Sequence, residues 1–252
     1  DSYPQGLKRS IPSGAQAIHD PRSTTHDQRS TMHRLRIRFA KKDWAIFYGH
    51  LELVNIIKRA ILRCGLLVAY SEGFHPQMKL SLGPALSVGI ESEFEYFDLA
   101  LLQVIEPNEF IEKMNLVLPS GVKLLSAEKV DLNAPSIYSA MQWVDFEIDL
   151  TSSPQSIDSQ KIADGLESIK AGSEVAVERV SNKKEGLVRK ISLNRYMNLK
   201  TAKVTDNKFL CFSIRSDDEG SLKPIEVLEV LSRNSREELS GILIKKTGVV
   251  LN

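Results

Sequence analysis

Residues 34–39 read Arg-Leu-Arg-Ile-Arg-Phe, a strict alternation of basic and apolar side chains. A period of two places Leu35, Ile37 and Phe39 on one face of a strand and Arg34, Arg36 and Arg38 on the other. The chain therefore needs a sheet with one face covered by apolar packing and one face that accepts charge. The segment that follows can supply the cover. Leu51, Val54, Ile57, Ile61 and Cys64 recur at intervals of three and four, while Glu52, Asn55, Arg59 and Arg63 fall on the opposite stripe. This predicts a helix opened by Gly49-His50 and ended by Gly65.

Further strands are expected at 66–70, 80–88 and 94–102, a helix near Pro107–Leu118 with Pro107 in its first turn, and a strand at 122–130. The order is β-α-β-β-α-β, the ferredoxin-like pattern of an antiparallel sheet with both helices on one face. First and third strands are neighbours in that topology, which puts Tyr96 and Asp98 beside the arginine row. Leu132–Ala140, with Pro135, reads as a connection, and the pattern then restarts. Val144, Phe146, Ile148 and Leu150 alternate with Trp143, Asp145, Glu147 and Asp149. A helix near 156–170, strands near 174–180, 187–193, 199–204 and 209–215, a helix at 224–232 and a strand near 242–250 complete it. Thr205-Asp206-Asn207-Lys208 is a hairpin turn between two of those strands. The fold class is α+β, two ferredoxin-like units in tandem: residues 32–131, then 132–252 with extra strands.

Residues 1–31 carry eight Ser/Thr, three Pro and two Gly with few large apolar side chains, the composition of a flexible linker or tail. The rest is apolar enough to bury a core, at 42% hydrophobic and 26% charged overall. No run of about 18 apolar residues is present, so a cytoplasmic protein that does not span a membrane is expected. Two cysteines, Cys64 and Cys211, are too few for a disulfide framework or for an iron–sulfur cluster held by three ligands of this chain. No phosphate-binding glycine loop, nucleophile elbow or zinc-protease motif occurs. No metal site is expected.

The formal charge of +1 conceals asymmetry. Residues 32–80 hold nine Lys/Arg and three Asp/Glu, and residues 81–131 the reverse. A second basic stretch runs from Lys183 to Lys208. Cations on a sheet beside Tyr96 or Tyr196 suit a phosphate backbone and stacked bases, which points to RNA rather than DNA. The competing reading is internal: Asp145, Glu147 and Asp149 have the spacing to lie against Arg34, Arg36 and Arg38.

One segment, Tyr70-Ser71-Glu72-Gly73-Phe74-His75-Pro76, packs a carboxylate, an imidazole, two aromatics and a turn glycine into seven positions. With Phe39-Ala40-Lys41-Lys42, Gly49-His50-Leu51-Glu52, Gly89-Ile90-Glu91-Ser92 and Glu95-Tyr96-Phe97-Asp98, it resembles the radical-SAM-linked domain of unknown function 2344. Gly49, Glu52 and His75 depart from the family's usual Ser, Asp and Asn. The resemblance implies an accessory domain fused to, or encoded beside, a radical S-adenosylmethionine protein. Iron–sulfur cluster, S-adenosylmethionine and possible cobalamin would then belong to that partner, with no cofactor in this chain. On this reading Arg36, Arg38, Lys41, Lys42, Lys79 and Arg189 hold RNA phosphates, while Tyr70, Glu72, Phe74 and His75 meet a nucleotide or the partner. Two alternatives stand beside this one. His50 could serve a metal-independent endoribonuclease as acid or base, or the chain could be a protein-interaction scaffold for the radical SAM partner.

Overall fold

The computed structural model describes residues 32–153, 157–180, 188–217 and 220–252. The tail 1–31 and Lys183 and Lys184 of the second basic stretch lie outside the described residues. Residues 32–252 form one compact unit.

In the first half, β1 (His33–Lys41) leads through a 3-10 turn (Asp43–Phe47) into α1 (His50–Arg63), followed by β2 (Leu80–Leu82), β3 (Ile90–Leu101), α2 (Pro107–Asn115) and β4 (Val122–Val130). A single helical turn, α3 (Ile137–Ala140), ends the connection. Next come β5 (Met141–Asp149), α4 (Ser159–Lys170), β6 (Ala176–Val180), β7 (Val188–Ser192), the short α5 (Leu193–Tyr196), β8 (Lys203–Thr205) and β9 (Phe209–Ile214). The hairpin β10 (Ser216–Asp217) and β11 (Gly220–Ser221), then α6 (Pro224–Ser232) and β12 (Leu243–Leu251), complete the chain. Asp206 and Asn207 turn the β8–β9 hairpin with φ of 52° and 53°, a conformation Asn and Asp tolerate.

The result is an α+β protein with a mixed sheet of eight strands, ordered β4-β1-β3-β12-β5-β9-β8, with β2 also pairing β3. The expectation of purely antiparallel sheets is corrected at one seam. β12 runs parallel to β3, Ile244–Lys246 against Ile90–Ser92. The physical reason is the length of β3. Its C-terminal half is paired by the three-residue β2, and the edge left bare upstream of that pairing is closed by β12. The strand expected at 66–70 is reduced to isolated bridges, Val68 to Leu101 and Tyr70 to Met78.

Two apolar cores sit on the sheet. Leu35, Ile37 and Phe39 of β1 pack with Phe97 and Leu99 of β3, Ile57 and Ile61 of α1 and Phe110 of α2. Phe146 and Ile148 of β5 pack with Ile162 and Leu166 of α4, Leu210 and Phe212 of β9 and Val227 of α6. Each such side chain contributes about 1.5–3 kcal/mol through removal from water.

On the opposite face the arginine row is largely consumed. Asp98, 4% exposed, accepts Arg34 Nη2, Arg36 Nε at 2.9 Å and Nη2 at 3.1 Å, and the Ile137 backbone N–H at 3.2 Å. Arg34 and Arg36 also donate to the Pro135 carbonyl, at 3.0 and 2.8 Å. The acidic strand anticipated as their partner lies elsewhere, because β3 and β12 separate β1 from β5. Removing Asp98 would leave two mostly buried guanidiniums without their carboxylate. Asp98→Ala is expected to cost about 3 kcal/mol or more, read as a lower urea midpoint, and a loss under about 1 kcal/mol would show the hub to be dispensable.

A second pair ties α6 to β6. Glu226, 4% exposed, accepts Arg179 Nε at 2.7 Å and the Lys223 N–H at 2.7 Å. Burial pushes the Glu226 carboxyl up, but the Arg179 hydrogen bond and the Lys223 N–H outweigh it and hold the pKa below its ordinary 4.5. A depressed folded-state pKa contributes stability above the unfolded value that is lost as pH falls through the folded one. Thermal melts from pH 7 to pH 3 should therefore show Glu226→Gln less stable than wild type at neutral pH and the gap closing below about pH 4.5. A gap independent of pH would refute this linkage.

Candidate functional site

The residues singled out in the sequence divide into three groups. Arg36 is buried against Asp98, and Arg38 is half-buried with its guanidinium 5.3 Å from the Phe94 ring centre. The Arg38 Nε is shielded from solvent and has no hydrogen-bond partner. Lys42 pairs with Glu93 and, at 3.7 Å, with Glu91, and the hydrogen bond to Glu93 raises its pKa. Tyr70, Glu72, Phe74, His75 and Lys79 belong to an exposed loop, with Phe74 fully exposed. Ser71 braces that loop by accepting the Gln77 N–H on its hydroxyl at 2.9 Å. Arg189 is exposed on β7. Loop 70–76 and His50 therefore do not form one site: the cavity that His50 lines contains none of the loop's side chains.

His50 and Lys41 do come together. The register runs Phe39 opposite Glu95 and Lys41 opposite Ser92, so two steps on β1 face three on β3, a bulge. The bulge lets Ser92 and Glu95 share one face, and the Ser92 hydroxyl donates to Glu95 Oε1 at 3.0 Å. Across the seam, the Lys246 ammonium of β12 reaches the same oxygen at 2.7 Å. Lys41, Ser92, Glu95 and Lys246 are exposed by only 1, 1, 6 and 5%. They form a polar island between the two apolar cores.

A cavity of about 10 Å³ opens at this island, lined by Lys41, Tyr48, His50, Leu53, Leu86, Glu95 and Tyr96 among others. That is the size of a single water-sized group. His50 is the first residue of α1, whose preceding Gly49 N–H donates to Glu52 at 2.7 Å. Gly121 places the end of β1: its φ of 83° requires glycine, and a Cβ there would lie 2.4 Å from the Lys42 carbonyl. Burial lowers the Lys41 pKa from its ordinary 10.5, against the pull of Glu95, and burial likewise raises that of Tyr96 despite nearby Arg38.

Leu86 lines both this cavity and a larger groove of about 330 Å³, which Lys246 also borders. Its walls include the 84–87 loop on one side and β6 and the start of α6 on the other, with Ile90, Val144, Phe146 and Ile214 as an apolar lining. Arg215 and Lys223 supply positive charge, Arg179 lies on the wall paired with Glu226, and Tyr138 offers an exposed ring. Arg215 is steadied by the Arg195 carbonyl at 2.9 Å and by the Trp143 ring, 5.6 Å from its guanidinium.

Sequence reasoning missed Glu95, Lys246 and the groove cations. A charge at a strand position that alternation reserves for apolar side chains, as at Glu95 between Phe39 and Phe97, is the signal that could have found the island. Among the described residues no group of three His, Cys, Asp or Glu side chains is arranged to hold a metal ion. No described helix is long and apolar enough to cross a membrane.

No curated protein matches this chain. Among solved structures that do match, one titled "Crystal Structure of an Unknown Protein from Galdieria sulphuraria" is 11% identical, covering 88% of this chain and 99% of that one at a TM-score of 0.25. At that score the likeness supports no inference about fold or function. A family model matches residues 34–239, spanning the first apolar core, all of the second but its β12 part, and all but the Lys246 side of the buried island. The chain thus belongs to the bacterial family described as "Uncharacterized protein conserved in bacteria (DUF2344)".

Proposed function

We propose that this chain is a non-catalytic RNA-binding module that serves a radical SAM protein, fused or separate, in tRNA or rRNA modification or processing. The observation that carries the reading is the groove. Its volume of about 330 Å³ suits one nucleotide, its lining is apolar enough to take a base, and Arg179, Arg215 and Lys223 line it as well. Arginine and lysine at the edge of an apolar slot are the arrangement that phosphate-bearing ligands require. This moves the RNA contact from the first strand to the second half, since Arg36 and Lys41 are buried. Iron–sulfur and S-adenosylmethionine chemistry would reside in the partner. Strand orders β4-β1-β3-β2 and β12-β5-β9-β8, each antiparallel with two helical crossovers, support reading the halves as two ferredoxin-like units sharing a sheet.

A second reading, the metal-independent ribonuclease, is favoured by the meeting of His50 with Lys41 and Tyr48 at one cavity. Incubating the protein with RNA in chelator distinguishes the two: cleavage abolished by His50→Gln supports the enzyme, and intact RNA supports the binding module.

For the binding module, filter binding of a short single-stranded RNA across a salt series should give a steep negative slope of log affinity against log salt. The double variant Arg215→Glu, Lys223→Glu should weaken binding uniformly across sequences and reduce that slope by about two. Absence of RNA affinity at low salt, or an unchanged slope in the variant, would overturn the proposal.

A further inference from the structure

The cavity at the seam carries an inference beyond the groove reading. Two cations, Lys41 and Lys246, meet one carboxylate, Glu95, and all three are out of solvent, with exposures of 1, 5 and 6%. Glu95 Oε1 is already taken by Lys246 at 2.7 Å and by the Ser92 hydroxyl at 3.0 Å. Lys41 feels Glu95 only through space: its ammonium makes no hydrogen bond or ion pair with the described residues. An ammonium has three donors and no acceptor, and that of Lys41 is not among the fully enclosed polar atoms left without a partner, so it keeps contact with the cavity, where an acceptor would satisfy it.

The space it lines has the size of one oxygen-bearing group, about 10 Å³, and is shared with His50 and Tyr48, both able to donate. Glu95 is the one carboxylate among the residues lining it. The lining is therefore rich in donors: Lys246 engages the Glu95 carboxylate from the groove side, which leaves the Lys41 charge facing the cavity without a hydrogen-bonded anion. We propose that this cavity is an oxyanion seat, in which a carboxylate or phosphoryl oxygen of a ligand enters against Lys41 with His50 beside it. Leu86 lines both this cavity and the groove. The oxygen thus arrives either on a free small oxyanion or as the terminal group of a molecule lying in the groove.

The test uses Lys41→Met, which keeps an unbranched apolar stem, one atom shorter, and removes the charge. A residue retained for a ligand at the expense of stability should, when replaced, give a protein that melts a few degrees higher without ligand. Inorganic phosphate, formate and uridine 5′-monophosphate are each titrated into wild type and variant, followed by thermal shift and calorimetry. Wild type should be stabilised saturably by at least one of them, and Lys41→Met should bind it about tenfold or more weakly. His50→Gln should lose several-fold. Stabilisation by phosphate or formate identifies a free oxyanion, whereas stabilisation by the nucleotide alone identifies a terminal phosphate. Both support the seat. It is overturned if none of the three stabilises wild type, or if Lys41→Met melts lower and keeps the full ligand shift. Should Lys41→Met not fold, Lys41→Gln is compared in the same way. The double variant Arg215→Glu, Lys223→Glu separates this proposal from the RNA reading, because it should lose RNA while retaining any shift from phosphate or formate.

Discussion

The contact between Lys246 and Glu95 is the constraint around which the two halves of this protein are arranged. It joins β12, the last strand, to β3 across 151 positions, with both side chains largely out of solvent. Such a pair adds little net stability over apolar packing, because desolvation offsets the Coulomb attraction. What it does add is register. Glu95 stands beside a bulge, and the parallel pairing of Ile244–Lys246 with Ile90–Ser92 is the alignment that brings the ammonium onto the carboxylate. A slip of one residue would turn Lys246 to the other face and leave Glu95 buried without it.

The same seam creates the site. Helices α1 and α2 pack over the first core and α4 and α6 over the second, and between them the 84–87 loop meets the starts of α1 and α6. The groove and the small cavity occupy that gap, sharing Leu86. The arginine row faces the other way. Two of its three guanidiniums are committed to Asp98 and to carbonyls of the 132–140 connection. Charge that looks like a nucleic-acid surface in the sequence is in large part the fastening of that connection to the sheet.

Much of the fold was legible from periodicity. The bounds of β4 and α6 coincide with the apolar pattern, α1 begins at His50 as its stripe requires, and Tyr96 and Asp98 stand opposite Arg38 and Arg36. The misreadings have physical causes. Leu66–Tyr70 is a short apolar run that reads as a strand, but its backbone makes only isolated bridges, Val68 to Leu101 and Tyr70 to Met78. The acidic residues of β5 match the arginines in spacing, yet strand order is decided by which edges remain bare. Of the site, the sequence marks His50 as a candidate acid or base and Lys41 only as one phosphate-holding cation beside Lys42. Period two continued from Phe39 puts Lys41 on the covered face and Lys42 on the other, but that the cover extends as far as Lys41 is decided by the tertiary structure.

The sequence by itself determined the local elements, because hydrophobic period and turn chemistry act over a few residues. It also determined the family, whose model spans residues 34–239. Only the tertiary structure decided which charges are buried together. Lys41, Glu95 and Lys246 come from three separate strands, and their meeting depends on a bulge and a parallel seam. The energy of each charge depends on partners and solvent access that no single segment can specify.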